Sequence, residues 1–83
     1  MVLDARAARD LTQLRRKHHP ILTELIQAID SLVTQPYIGK PLTGNKRGSY
    51  SLRVGDFRVI YDLHPASRTI HLIRAGDRKD IYR

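Results

Sequence analysis

Ser49-Tyr50-Ser51-Leu52-Arg53-Val54-Gly55-Asp56-Phe57-Arg58-Val59-Ile60-Tyr61-Asp62-Leu63 carries the plainest structural signal in the chain. On both sides of Gly55-Asp56, apolar and polar residues alternate at period 2, as strands with one buried face do. Gly55-Asp56 reads as a two-residue hairpin loop, and Gly at its first position suits a type II′ turn. That loop sets a register: Val54 opposite Phe57, Arg53 opposite Arg58, Leu52 opposite Val59, Ser51 opposite Ile60, Tyr50 opposite Tyr61. One face then carries Tyr50, Leu52, Val54, Phe57, Val59, Tyr61 and Leu63 and is expected to receive helices. The other carries Ser49, Ser51, Arg53, Arg58, Ile60 and Asp62 and is expected to stay largely polar and open.

Outward from the hairpin, His64-Pro65-Ala66-Ser67-Arg68 reads as a turn into a third strand near 69–75. Strict alternation there places Ile70 and Leu72 on the core face and His71, Ile73 and Ala75 on the other. Gly76 is expected to bend the tail out of the sheet. Upstream, residues 35–48 hold Pro36, Gly39, Pro41, Gly44 and Gly48, a loop of several turns that Leu42 can pin to the core. Earlier still the period changes to that of helices. Asp4 can cap a helix from Ala5, with Ala8, Leu11 and Leu14 along one side. Lys17-His18-His19 interrupts, and Pro20 suits the first turn of a second helix whose Ile21, Leu22, Leu25, Ile26, Ile29, Leu32 and Val33 recur at helical spacing. Met1-Val2-Leu3 is at most the stub of a strand. The expected fold is α+β: an antiparallel helix hairpin packed on a small, mainly antiparallel sheet, in one domain over 1–83.

Composition narrows the function classes. The 83 residues contain no Cys, which excludes a disulfide scaffold, a thiol nucleophile and cysteine-ligated metal. No apolar run is long enough to span a bilayer, and the N-terminus lacks a secretory pattern, so a cytoplasmic location without membrane contact is expected. Fifteen Lys and Arg against eight Asp and Glu leave a net charge of +7. Residues 46–83 carry +5 of it. Such a field favours a polyanionic partner.

The hairpin register sharpens that inference. Arg53 directly opposite Arg58 on the open face is a like-charge pair, unfavourable in itself. An anionic ligand would compensate, since two guanidiniums on neighbouring strands can grip one phosphate through charge-assisted hydrogen bonds. A local ion pair with Asp56, or a solvated edge, is the plainer explanation. The tail Arg78-Lys79-Asp80-Ile81-Tyr82-Arg83 is either a second cationic element folded back on that pair or a frayed end. An arginine there can stabilise charge developing on phosphate oxygens, and a tyrosine can stack on a base. His18, His19 and His64 read as solvated. His71 and Asp62 share the open face as cross-strand neighbours and read as a structural pair. No sequence pattern points to a metal, and no glycine-rich loop precedes a helix to hold a nucleotide cofactor.

These residues resemble the RelE/ParE superfamily of toxins from type II toxin–antitoxin modules. The likeness rests on Pro41-Leu42-Thr43-Gly44, on Gly55-Asp56-Phe57-Arg58-Val59-Ile60-Tyr61, and on Arg74-Ala75-Gly76-Asp77-Arg78-Lys79-Asp80-Ile81-Tyr82. It implies a RelE-like fold with the first strand shortened or missing. It implies an mRNA interferase that cuts mRNA in the ribosomal A site, next to 16S rRNA, with no metal or cofactor. It also implies an acidic, RelB-like antitoxin as partner. By motif position, Arg58 would hold the scissile phosphate and Arg78 would stabilise the transition state. Tyr82 would orient the nucleotide, and Arg53 would stand near a catalytic lysine of some relatives. Lys46, Arg47, Arg74, Lys79 and Arg83 would be RNA contacts. A guanidinium does not serve as general base, so that role stays open, with Lys46 and Asp77 as candidates. Two alternatives accompany this expectation: a ParE-type inhibitor of DNA gyrase, and a non-catalytic basic RNA-binding domain.

Overall fold

The computed structural model describes residues 1–44 and 48–81. In chain order its elements are β1 (Val2–Leu3), α1 (Ala5–Arg16), α2 (Leu22–Ser31), β2 (Lys40–Pro41), β3 (Ser49–Val54), β4 (Phe57–His64), β5 (Thr69–Asp77) and α3 (Arg78–Ile81). The five strands form one sheet in the order β1-β5-β4-β3-β2, antiparallel except for the β1–β5 pair. Two helices on a mainly antiparallel sheet is the α+β class that the sequence predicts, with the first strand present but only two residues long. No helix among the described residues is long and apolar enough to cross a membrane.

Asp4 caps α1 as its position suggests. Its backbone is extended and its Oδ1 accepts from the Arg6 amide at 2.9 Å, satisfying one of the helix's unpaired donors. That hydrogen bond, ahead of the Arg6 charge, holds the Asp4 carboxyl below its ordinary pKa. The buried face of α1 differs from expectation by one residue. Ala7 is fully buried, with Leu11 and Leu14 packed against the same core, whereas Ala8 is exposed. Ala7, Leu11 and Leu14 follow the i, i+4, i+7 stripe, and a shift of one residue rotates a side chain by about 100°. In α2, Leu25, Ile29 and Leu32 face inward while Ile26 and Val33 are exposed. The helix begins at Leu22, not Pro20, because His19 Nδ1 accepts the Ile21 amide at 3.1 Å and closes the preceding turn.

The hairpin has the expected register from Tyr50↔Tyr61 to Val54↔Phe57. Gly55 sits at φ +59°, the left-handed region that a type II′ turn requires at its first central residue. Tyr61 anchors the long connection. Its ring stacks on Tyr50 at 5.5 Å, and its hydroxyl donates to the Pro36 carbonyl at 2.9 Å and accepts from the Gly39 amide at 3.0 Å. Burial raises its pKa above the ordinary phenol value. Gly39 is needed there because a Cβ would collide with the Tyr61 hydroxyl. The connection therefore hangs from Tyr61. Leu42 is only half-buried, and its amide donates to the Ser49 carbonyl at 2.8 Å.

Three features depart from the alternation rule. First, β2 pairs Lys40 with Ser51 and Pro41 with Tyr50 inside what reads as loop. Two residues are too few to show a period, and Pro is tolerated on an edge strand. Second, the β4–β5 ladder shifts, with Ile60 opposite Arg74 but Tyr61 opposite Leu72, so Ile73 is an extra residue in a bulge. Beyond it the faces exchange: Ala75, expected opposite the core, lies across from Val59 and is 1% exposed within the core. Third, Gly76 does not leave the sheet. It pairs with Arg58, β5 continues through Asp77, and the chain turns only at α3. The Ile81 side chain lies 3.5 Å from where a Gly76 Cβ would stand. Ile81 and Ile60 are each 4% exposed, so the face expected to be open is partly roofed by α3.

Candidate nucleic-acid interface

Three strands contribute to one row at the hairpin end of the sheet. Arg53 of β3 pairs with Arg58 of β4, which pairs in turn with Gly76 of β5. With strands about 4.8 Å apart, this row places two guanidinium stems side by side and leaves the third position without a side chain. The Arg53 Nε and Arg58 Nη1 both point to the Gly55 carbonyl at 3.4 Å, and Arg58 Nη1 also donates to its neighbour Phe57's carbonyl at 3.1 Å. A carbonyl dipole offsets only part of two full charges. Among the described residues neither arginine has a carboxylate within ion-pair distance, so the alternative of a local ion pair with Asp56 is not seen.

The last turn brings a third arginine to the same corner. The Arg78 amide donates to the Asp56 carbonyl at 3.0 Å, tying α3 to the tip of the β3–β4 hairpin. Arg78 and Lys79 are exposed there. With Asp56 and Asp77 they line a cleft of about 260 Å³. Asp77 is half-buried and accepts the Lys79 amide at 2.8 Å, so one of its oxygens caps the start of α3. The geometry thus joins Arg53, Arg58, Arg78 and Lys79 at one end of the sheet. Lys46, Arg47, Tyr82 and Arg83 lie outside the described residues.

Arg74 stands apart from this group. Its Nε and Nη2 donate to the two Asp10 oxygens at 2.8 and 3.3 Å, and Asp10 Oδ2 also accepts the Ala75 amide at 3.0 Å. Its hydrogen bonds to Asp10, with the carboxylate charge behind them, raise the guanidinium's pKa further. Asp10 thereby ties α1 to β5 just past the bulge, a tether that helical periodicity does not reveal. The histidines also differ from a uniformly solvated set. His18 is exposed, but His19 is half-buried, edge-on to Phe57 at 5.1 Å. His71 faces Asp62 in register, yet its Nε2 lies 3.9 Å from Asp4 Oδ2, while Asp62 accepts a hydrogen bond from Ser49.

The corner can hold an anion. Arg53, Arg78 and Lys79 are exposed there, and among the described residues none of Arg53, Arg58 and Arg78 has an ion-pair partner, although Asp56 and Asp77 line the same cleft. The family described as ParE toxin of type II toxin-antitoxin system, parDE, matches residues 1–82. The chain is 32% identical over 84 residues to Toxin RelE of Mycobacterium tuberculosis, covering 100% of this chain and 84% of that protein. It is 34% identical over 79 residues to Toxin RelG of the same organism, covering 93% and 87%. The toxin from the RelBE2 toxin–antitoxin complex of M. tuberculosis shares 29% identity and superposes with a TM-score of 0.76 over 92% of this chain and 93% of that one.

Proposed function

Since this chain belongs to the ParE toxin family of type II toxin–antitoxin systems, we propose that it acts as an mRNA endoribonuclease of the RelE kind, cutting in the ribosomal A site. The observation that carries this reading is the convergence of Arg53, Arg58 and Arg78 on one corner without a carboxylate partner among the described residues. The relatives named RelE and RelG support it.

The chemistry asks little beyond placed charge. The ribose 2′-oxygen attacks the adjacent phosphorus and loses its proton. The bond from phosphorus to the 5′-oxygen breaks, and that oxygen takes up a proton. The products are a 2′,3′-cyclic phosphate and a 5′-hydroxyl. Negative charge rises on the non-bridging oxygens in the transition state. On this reading Arg58, with Arg53 beside it, receives those oxygens, and Arg78, whose amide is held on Asp56, supplies a further guanidinium. Tyr82 is assigned the stacking role on the nucleotide, and Lys46, Arg47, Lys79 and Arg83 the backbone contacts. Asp77 is a weak candidate for the base because its carboxylate already accepts from Lys79. Lys46 is therefore the preferred one. An acidic antitoxin would compete for the same cationic corner and silence the toxin.

The family's ParE name favours a second reading, inhibition of DNA gyrase. Product mapping separates the two. Purified chain is incubated with mRNA, free and on programmed ribosomes, and the 5′ ends are identified. Cuts inside the A-site codon with 5′-hydroxyl ends are expected. Intact RNA from folded protein, together with loss of gyrase supercoiling, would overturn the nuclease reading.

A further inference from the structure

At the other end of β4 lies a group that the RNA chemistry does not use. Asp62 and His64 stand two residues apart on β4, so their side chains leave the same face of the strand. His71 on β5 is directly opposite Asp62. One carboxylate oxygen and one nitrogen from each ring all lie within 4.8 Å of one another. We propose that Asp62, His64 and His71 form a binding site for a divalent transition-metal ion of the zinc type.

The donor set identifies the class of ion. Two imidazoles and one carboxylate suit zinc, nickel or copper, whereas magnesium and calcium prefer oxygen ligands throughout. Ligands held about 2.0–2.2 Å from zinc in a tetrahedron stand about 3.3–3.6 Å apart. The three ligand atoms, within 4.8 Å of one another, are already near that spacing, and His64 is exposed. The backbone needs no change, because the β4–β5 ladder already fixes all three Cα positions. The two ring centroids lie 6.4 Å apart, with 36° between the ring planes. Ser49 donates to Asp62 Oδ1, which orients the carboxylate and leaves Oδ2 for a ligand. Asp4 Oδ2 lies 3.9 Å from His71 Nε2, while Asp4 Oδ1 is paired with Arg6 Nε at 3.5 Å. Three protein ligands leave a fourth position for water or a partner's side chain.

The site lies four residues along β4 from Arg58, about 14 Å at the rise of a strand. It is therefore separate from the phosphate corner. A bound ion would clamp β4 to β5 beside the turn that joins them, and would stabilise the folded chain by mass action.

The test uses the full chain without an affinity tag, freed of metal by a chelator. Zinc is titrated by calorimetry, and cobalt is used as a visible-absorption probe. One equivalent of zinc should bind. Binding should weaken at least about tenfold in His64→Ala and in His71→Ala, and His18→Ala should leave it unchanged. In the unaltered protein, zinc should shift the imidazole nitrogen resonances of His64 and His71 and not those of His18 and His19. That measurement decides the matter even if a variant fails to fold. Absence of binding at millimolar zinc would overturn the proposal. So would resonance shifts confined to His18 and His19, or binding that survives both substitutions.

Discussion

Asp10→Ala tests whether the fold depends on the tether between α1 and β5. The Asp10 carboxylate, 18% exposed, accepts from Arg74 twice and from the Ala75 amide once. Removing it has two effects. The amide past the bulge loses an ionised acceptor, a bond worth about 1.5 kcal/mol. The Arg74 guanidinium, 29% exposed, is left without its counter-charge. Full burial of an orphaned charge costs about 3–5 kcal/mol, and this guanidinium can still reach water, so about 1–2 kcal/mol is appropriate. The sum is about 3 kcal/mol, or about 10–20 °C in Tm for a domain of this size. Urea unfolding and thermal melts measure it directly. Asp10→Asn keeps an oxygen for the Ala75 amide and should lose about half as much. Arg74→Ala should lose about 1–2 kcal/mol, with coupling of about 1–2 kcal/mol to Asp10→Ala in a double-mutant cycle. Asp10→Ala within about 0.5 kcal/mol of the unaltered chain would refute the tether. A second refutation would be Arg74→Ala weakening RNA affinity as much as Arg58→Ala at unchanged stability, because the Asp10 charge should leave Arg74 little to offer RNA.

Other expectations follow from the same geometry. Arg58→Ala and Arg78→Ala should each slow RNA cleavage by about 10²–10³-fold, the usual loss for one donor to a developing oxyanion, with melts showing both still folded. Lowering the pH should expose the Asp4 cap. Its folded pKa is depressed, so its stabilisation is present above the ordinary carboxylate range and is lost as pH falls through the lowered value. Asp4→Ala should flatten that acid limb of urea stability. Tyr61 has the opposite sign: its pKa is raised, so its contribution is intact below about pH 10 and is lost as the pH rises further. Tyr61→Phe should remove that alkaline loss yet lower stability at neutral pH by about 1–3 kcal/mol, since the Gly39 amide loses its acceptor. Gly55→Ala, at φ +59°, should cost about 1–2 kcal/mol by equilibrium unfolding.

What was legible in the chain was what local rules determine. A two-residue loop leaves one register, so Gly55-Asp56 was enough to place Arg53 opposite Arg58. The bulge at Ile73 was not legible, because an extra residue is indistinguishable from ordinary alternation until a partner strand counts it. With the bulge went the placement of Ala75 and of Arg74, which looks like one more basic residue for RNA and proves tied to α1. The departure at Gly76 has a different origin. Gly in a strand commonly signals a break, but here Gly76 stays paired with Arg58 and Ile81 packs over it. Clustering of Arg78 with Arg53 and Arg58 depends on one backbone bond to Asp56, which no residue pattern encodes. The Asp62, His64 and His71 group fell between the two cases. Its register was readable as a His–Asp pair, but the i, i+2 contribution of His64 becomes visible only once β4 extends to that residue.

The row of arginines carries the functional argument furthest when set against the rest of the fold. The helix cap, the Tyr61 anchor and the Asp10 tether are each satisfied within the chain. Arg53 and Arg58 are not, and their direct opposition costs about 0.2–1 kcal/mol. A like-charge pair kept at such a cost, with no ion-pair partner among the described residues, marks a functional place. On the proposed reading both RNA and an acidic antitoxin bring negative charge to that corner, and both relieve the same repulsion. Two ligands that neutralise one set of charges exclude each other. Inhibition of the toxin then needs no conformational change in the sheet, only occupancy. Each 1.4 kcal/mol by which the antitoxin outbids RNA for Arg53, Arg58 and Arg78 shifts the balance about tenfold. Those arginines should therefore be shared determinants of activity and of neutralisation, whereas Arg74, already paired with Asp10, should contribute little to either.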